Sequence, residues 1–72
     1  MATQDNSENG KHGRVRGGKD NGKVGEIRGI TRDEKFPNKD TIDLQIPGER
    51  CRTFLLKGVE ILTFHPDGTP IL

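Results

Sequence analysis

Between Thr41 and Glu49 the chain reads TIDLQIPGE, and no other stretch restricts its folding as tightly. Ile42, Leu44 and Ile46 alternate with Asp43 and Gln45, the period of two expected of a strand with one wet face. Pro47-Gly48 then suits the central positions of a type II turn, where proline sets the first φ and glycine supplies the positive second one. A hairpin is predicted, its second arm running through Cys51, Arg52, Thr53, Phe54 and Leu55.

The rest of the chain offers strands of decreasing clarity. Val24 to Thr31 carries Val24, Ile27 and Ile30 three residues apart, a spacing that would suit a helix. Gly22, Gly25 and Gly29 oppose one, since each glycine costs about 1 kcal/mol in a helix interior relative to alanine. A strand with a bulge near Gly25 accommodates the pattern. Gly13-Arg14-Val15-Arg16 reads as a short first strand with Val15 as its only apolar member. Leu56-Lys57-Gly58 reads as a tight or 3₁₀ turn, and Val59-Glu60-Ile61 as a last strand. Arg32 to Asp40 is a polar loop with Pro37-Asn38 at its tip; Phe36 either packs back on the domain or stands exposed.

No long amphipathic helix can be drawn, so the expected fold is all-β, a small antiparallel barrel or half-barrel. Its predicted core is Val15, Val24, Ile27, Ile30, Ile42, Leu44, Ile46, Phe54, Leu55, Val59 and Ile61. Residues 1–12 have no periodic apolar face to offset the entropy of ordering and are expected to form a disordered tail. The domain is expected over 13–63, with 64–72 as a terminal turn or frayed end.

At 72 residues, 28% of them hydrophobic, the chain makes one small domain with a modest core. A deep catalytic pocket is not expected in it. No Ser, Cys or Thr has an evident His base, and no carboxylate pair sits in an apolar setting. His12, Cys51 and His65 are isolated, so neither a metal nor another cofactor is expected, and Cys51 reads as a small buried hydrophobe. Nothing resembles a signal peptide or a bilayer-spanning run, and one cysteine forms no internal disulfide. No membrane or small-molecule partner is expected, and the expected setting is cytoplasmic.

The net charge of +1 conceals a division. Residues 11–39 hold nine Lys and Arg against four Asp and Glu, a net +5, while 1–10 and 40–72 each carry −2. In this basic third lies Gly17 to Ile27, GGKDNGKVGEI. It is no Walker loop, because the glycine spacing is wrong and Val24 follows the lysine where Ser or Thr is required. It also lacks the helix of a dinucleotide fingerprint.

The order of residues here resembles the KOW motif of several ribosomal proteins and of the NusG and Spt5 transcription factors. Gly18, Lys19, Asp20, Gly22, Lys23, Gly25 and Ile27 match the ribosomal version, with Ile30 where a further aliphatic is common. Asn21 stands where the family often has a basic residue. The resemblance covers about 13–30. It implies an SH3-like barrel whose basic loop between the first two strands is available for RNA or for a protein partner.

The expected function is therefore a non-catalytic module that contacts RNA or a ribonucleoprotein through loop 18–28. Candidate contacts are Arg14, Arg16, Lys19, Asn21, Lys23 and Arg28, whose cations would release phosphate counterions on binding. Stacking of bases needs an exposed aromatic. Phe54 reads as core and Phe64 as a cover for the barrel end, which leaves Phe36, beside Lys35 and Lys39, as the candidate partner contact. The alternative is an SH3-like accessory subunit that docks on a larger protein complex without nucleic acid, through Phe36 or the edge strand after Pro47. Interleaved acids and a pI of 7.9, below the value above 9 usual for nucleic-acid domains, suit that second reading.

Overall fold

The computed structural model describes residues 2–62 together with 68 and 69. Among these residues six strands form one antiparallel sheet: β1 (Thr3–Asp5), β2 (His12–Val15), β3 (Val24–Arg32), β4 (Thr41–Gln45), β5 (Cys51–Leu55) and β6 (Val59–Ile61). Two single 3₁₀ turns, Pro37–Lys39 and Leu56–Gly58, precede β4 and β6. The order across the sheet is β5-β4-β3-β2-β6, so the last strand returns beside the first of a four-strand meander. This all-β arrangement is compatible with an SH3-like domain, with a 3₁₀ turn before the final strand. Among the described residues β5 and β6 are not paired with each other, and no helix is long and apolar enough to cross a membrane.

The β4–β5 hairpin forms as its sequence predicts. Gly48 has φ +80, and the Glu49 N–H donates to the Ile46 carbonyl at 3.0 Å. Ile42 and Leu44 are fully buried, and Ile46 is nearly so.

Strand β3 is shared by both halves of the sheet, and its bulge falls at Arg28 rather than near Gly25. Ile27 pairs with Leu44 but Gly29 pairs with Asp43, which leaves Arg28 as the extra residue. The insertion turns the alternation by one, so that Ile27 and Ile30, three apart, both face inward and are fully buried. Val24 lies on the other side of that alternation and is half-buried rather than part of the core. Gly25 has no room for a side chain: a Cβ there would stand 2.9 Å from the Gln45 carbonyl oxygen.

Val15, Ile27, Ile30, Ile42, Leu44, Ile46 and Val59 make up the core, with Phe54, Leu56 and Ile61 packed on its margin. Two expectations on β5 are corrected. Leu55 is 48% exposed, and Cys51 is exposed as well. Both share a face with Thr53, opposite to that of Phe54, and Phe54 faces inward because its register partner is Ile42. Leu56 takes the inward place that Leu55 leaves.

The amino-terminal segment also differs from an unstructured tail. Strand β1 pairs with the far half of β3, Thr3 opposite Arg32 and Asp5 opposite Ile30. Between β1 and β2 the Gly10 N–H donates to the Ile27 carbonyl, and the Ile27 N–H donates to the Lys11 carbonyl. As its composition requires, the segment adds no apolar side chain to the core. Backbone bonds to β3, an Arg32–Asp5 ion pair at 3.2 Å and a Ser7–Asp5 turn hold it instead. The expectations for Phe64, His65 and the segment 64–72 lie outside the described residues, apart from 68 and 69.

Candidate nucleic-acid interface

Loop 16–23 joins β2 to β3 and is closed at its base by two backbone bonds. The Val15 N–H donates to Lys23, and the Gly22 N–H donates to Val15, each at 2.8 Å. Gly17, Gly18 and Gly22 all have positive φ, between 73 and 90, a conformation that side chains rarely adopt. Asn21 works inside the loop: its Oδ1 accepts the Gly17 N–H at 2.8 Å. Asn21 thus shapes the loop.

Asp20 and Lys23 point toward the β4–β5 hairpin and join Glu49 and Arg52 in a four-member ion network. Arg52 reaches both Asp20 oxygens, at 2.9 and 3.1 Å, and Glu49 at 3.1 Å. Lys23 donates to Glu49 at 2.9 Å and stands 3.3 Å from Asp20. The Arg52 guanidinium holds the Asp20 carboxyl below its usual range, and the Lys23 ammonium does the same for Glu49. In turn Glu49, then Asp20, raise the Lys23 ammonium. The network fastens the loop to the hairpin, and Lys23 is spent within it.

On the outer face of β2, Arg14 lies directly opposite Glu60 of β6 and forms an ion pair with it, while Arg16 approaches the same carboxylate at 3.5 Å. One acid therefore serves two arginines, and Arg16 keeps 66% of its side chain exposed. The Arg16 N–H donates to the Gly58 carbonyl, which brings the exposed Lys57 of the second 3₁₀ turn near. Lys19, at the loop tip, is exposed and makes no ion pair among the described residues. Arg28 projects from the bulge and pairs with Glu26 at 3.6 Å.

The six predicted contacts thus separate into groups. Arg14 and Arg16 are exposed and share one carboxylate, and Lys19 is exposed at the loop tip. Asn21 and Lys23 build the loop, and Arg28 stands apart on the bulge. Glu49, Arg52 and Glu60 carry no signal in the sequence. Their cross-sheet partners lie 26 to 46 residues away along the chain, and no local pattern announces such pairings.

Phe36 stands 52% exposed in the loop before β4, with the Lys39 ammonium 4.8 Å from its ring centre. The loop is shaped by Asp33, whose carboxylate accepts the N–H groups of Phe36 and Lys35, and these bonds lower its pKa. A groove of about 430 Å³ lies elsewhere, lined by His12, Val24, Gly25, Glu26, Gln45 and Pro47. Among the described residues no group of three or more His, Cys, Asp or Glu is placed to hold a metal ion.

Fold and surface together describe a small antiparallel β domain, compatible with an SH3-like one, with a stiffened basic loop. No known family, curated protein or solved structure matches the chain.

Proposed function

We propose that this is a non-catalytic, KOW-like binding module that contacts RNA or a ribonucleoprotein through the tip of loop 16–23 and the outer face of β2. The observation that carries the reading is Lys19. It stands exposed and without an ion partner among the described residues, on a loop whose other polar groups hold it in shape. Three residues earlier Arg16 adds a second exposed cation, and Arg14 a third, against the single carboxylate of Glu60. A loop ordered before binding loses little entropy when it meets a phosphate backbone.

Titration of labelled protein with a hairpin RNA and a single-stranded RNA, at about 50 and 200 mM salt, tests the reading, because phosphate contacts weaken by orders of magnitude over that span. Amide shifts centred on Arg16 to Lys19 that fade with salt support it. Lys19→Gln should lower affinity for every sequence and reduce the salt slope by about one. A spectrum unchanged by both RNAs at low salt refutes it.

The exposed Phe36 favours a second reading, an accessory subunit that docks on a protein complex. Under that reading Phe36→Ala removes binding to the complex at any salt, and Lys19→Gln leaves it intact.

A further inference from the structure

We propose that the chain self-associates by antiparallel pairing of β5 with β5 of a second copy, with Thr53 on the two-fold axis. Among the described residues β5 ends the sheet, with β4 on one side and no strand on the other. The phase of its hydrogen bonds follows from Leu56, whose N–H donates to the Asp40 carbonyl at 2.8 Å in the register that pairs Thr41 with Leu55. Bonded pairs alternate along an antiparallel ladder, so Phe54 and Arg52 bond to β4. The N–H groups of Cys51, Thr53 and Leu55 and the C=O groups of Cys51 and Thr53 therefore point away from the sheet, while the Leu55 C=O accepts the first bond of the Leu56–Gly58 turn.

Edges of this kind are commonly blunted by lysine, proline or a bulge. Strand β5, CRTFL, has none of the three and pairs with β4 without a register break; its one charge, Arg52, is held by Asp20 and Glu49.

The outward positions 51, 53 and 55 are symmetric about Thr53, so the N–H of Leu55 in one copy meets the C=O of Cys51 in the other and the edge is complementary to itself. Antiparallel pairing through Thr53 sets Cys51 of each copy opposite Leu55 of the other and yields about four hydrogen bonds. On the outer face the exposed Leu55 gains the Cys51 thiol as an apolar neighbour. On the inner side Arg52 meets Phe54 of the other copy. Those two groups already stand 5.0 Å apart within one strand. Beyond the strand ends the same register sets Glu49 toward Lys57, opposite charges at both ends. No like charges are opposed, which selects a second copy over a foreign strand.

One strand pair buries less than the roughly 1,000 Å² of a stable interface, so the dimer forms in a concentration-dependent way. Register-specific cross-linking tests it. Opposed bonded residues lie about 5.5 Å apart at Cα, within disulfide reach, so Thr53→Cys in a Cys51→Ser background should cross-link between copies under mild oxidation. Unaltered Cys51 faces Leu55, not another Cys51. The two Cys51 residues are then about 14 Å apart along the strands and should give at least about tenfold less dimer.

Equal cross-linking through Cys51 in the unaltered chain, or none in the Thr53→Cys variant, overturns the proposal. The unaltered chain supplies a second readout that needs no substitution. Amide shifts of Cys51, Thr53 and Leu55 should move between about 20 µM and 1 mM protein, the range in which so small an interface assembles. Thr53→Lys, which opposes two cations on the axis, should abolish that movement. Shifts that stay fixed with concentration also overturn the proposal. So do shifts that move only when an extended peptide of unrelated sequence is added, an outcome that assigns the edge to a foreign strand.

Discussion

Replacing Gly25 with alanine adds one methyl group against the backbone at the end of β4. The new Cβ would lie 2.9 Å from the Gln45 carbonyl oxygen, 3.0 Å from its carbon and 3.0 Å from Ile46 Cγ1. Two of these three neighbours are backbone atoms of a paired strand, which cannot rotate aside as the end of a side chain can. Inserting a methyl into such a place costs about 1–3 kcal/mol. A domain of this length has about 4–11 kcal/mol in total, so the loss is a large fraction of it. With a urea slope near 1 kcal/mol/M for a small domain, the unfolding midpoint should fall by about 1–3 M. Gly58→Ala is the control. Its nearest neighbour is the Arg16 carbonyl oxygen at 4.0 Å, and its φ is not positive. Alanine there should hold or raise stability by about 0.4–1 kcal/mol through the unfolded chain. Urea denaturation of the parent and both variants, followed by far-ultraviolet circular dichroism, measures the difference. Equal midpoints for the two variants would refute the close-approach argument.

Leu44→Ala removes a fully buried side chain from the core and should cost about 2–5 kcal/mol, a large share of the total, which a thermal melt would show as a lowered midpoint. Asp20 and Glu49 have folded pKa values below their ordinary 3.8 and 4.5. Their contribution is therefore complete above those values and is lost as pH falls through the folded ones. Urea midpoints taken from pH 7 down to 3 should decline, and less steeply in Asp20→Asn, whose loop is already unfastened. Lys23 is shifted upward from 10.5, so its contribution is present below that pH and is lost above it. Cys51 is exposed in the folded chain and should react with a thiol reagent almost as fast natively as in urea; a slow native reaction would place it inside.

Much of this architecture is legible in the chain because strands and turns are encoded over a few residues. The alternation from Ile42 to Ile46 and the Pro47-Gly48 turn each rest on local geometry, and both appear where the periodicity puts them. The 3₁₀ turn at Leu56–Gly58 and the short β6 appear as well. Where sequence and structure differ, the cause is a choice between two faces. Hydrophobicity alone sends both Phe54 and Leu55 inward, although neighbours on an unbulged strand cannot share a face. Only the pairing of Phe54 with Ile42 decides between them. The glycine pattern predicts a bulge near Gly25, the residue that would permit one, yet it occurs at Arg28, where the register of β4 changes.

The candidate site divides in the same way. Lys19 and the loop glycines are visible in the sequence, and the loop forms where its residues predict. That Lys23 closes an ion network, and that Arg14 and Arg16 share Glu60, is not visible there. The ordering of Thr3–Asp5 is equally hidden, since that segment has no apolar pattern and is ordered by pairing with the far half of β3. The sequence by itself determined an all-β chain, its turns and most of its core, because φ preferences and period-two burial act between near neighbours. Only the tertiary structure decided which charges pair, which face of β5 meets water and which strand ends the sheet. Those outcomes depend on residues up to 46 positions apart being brought together across the sheet.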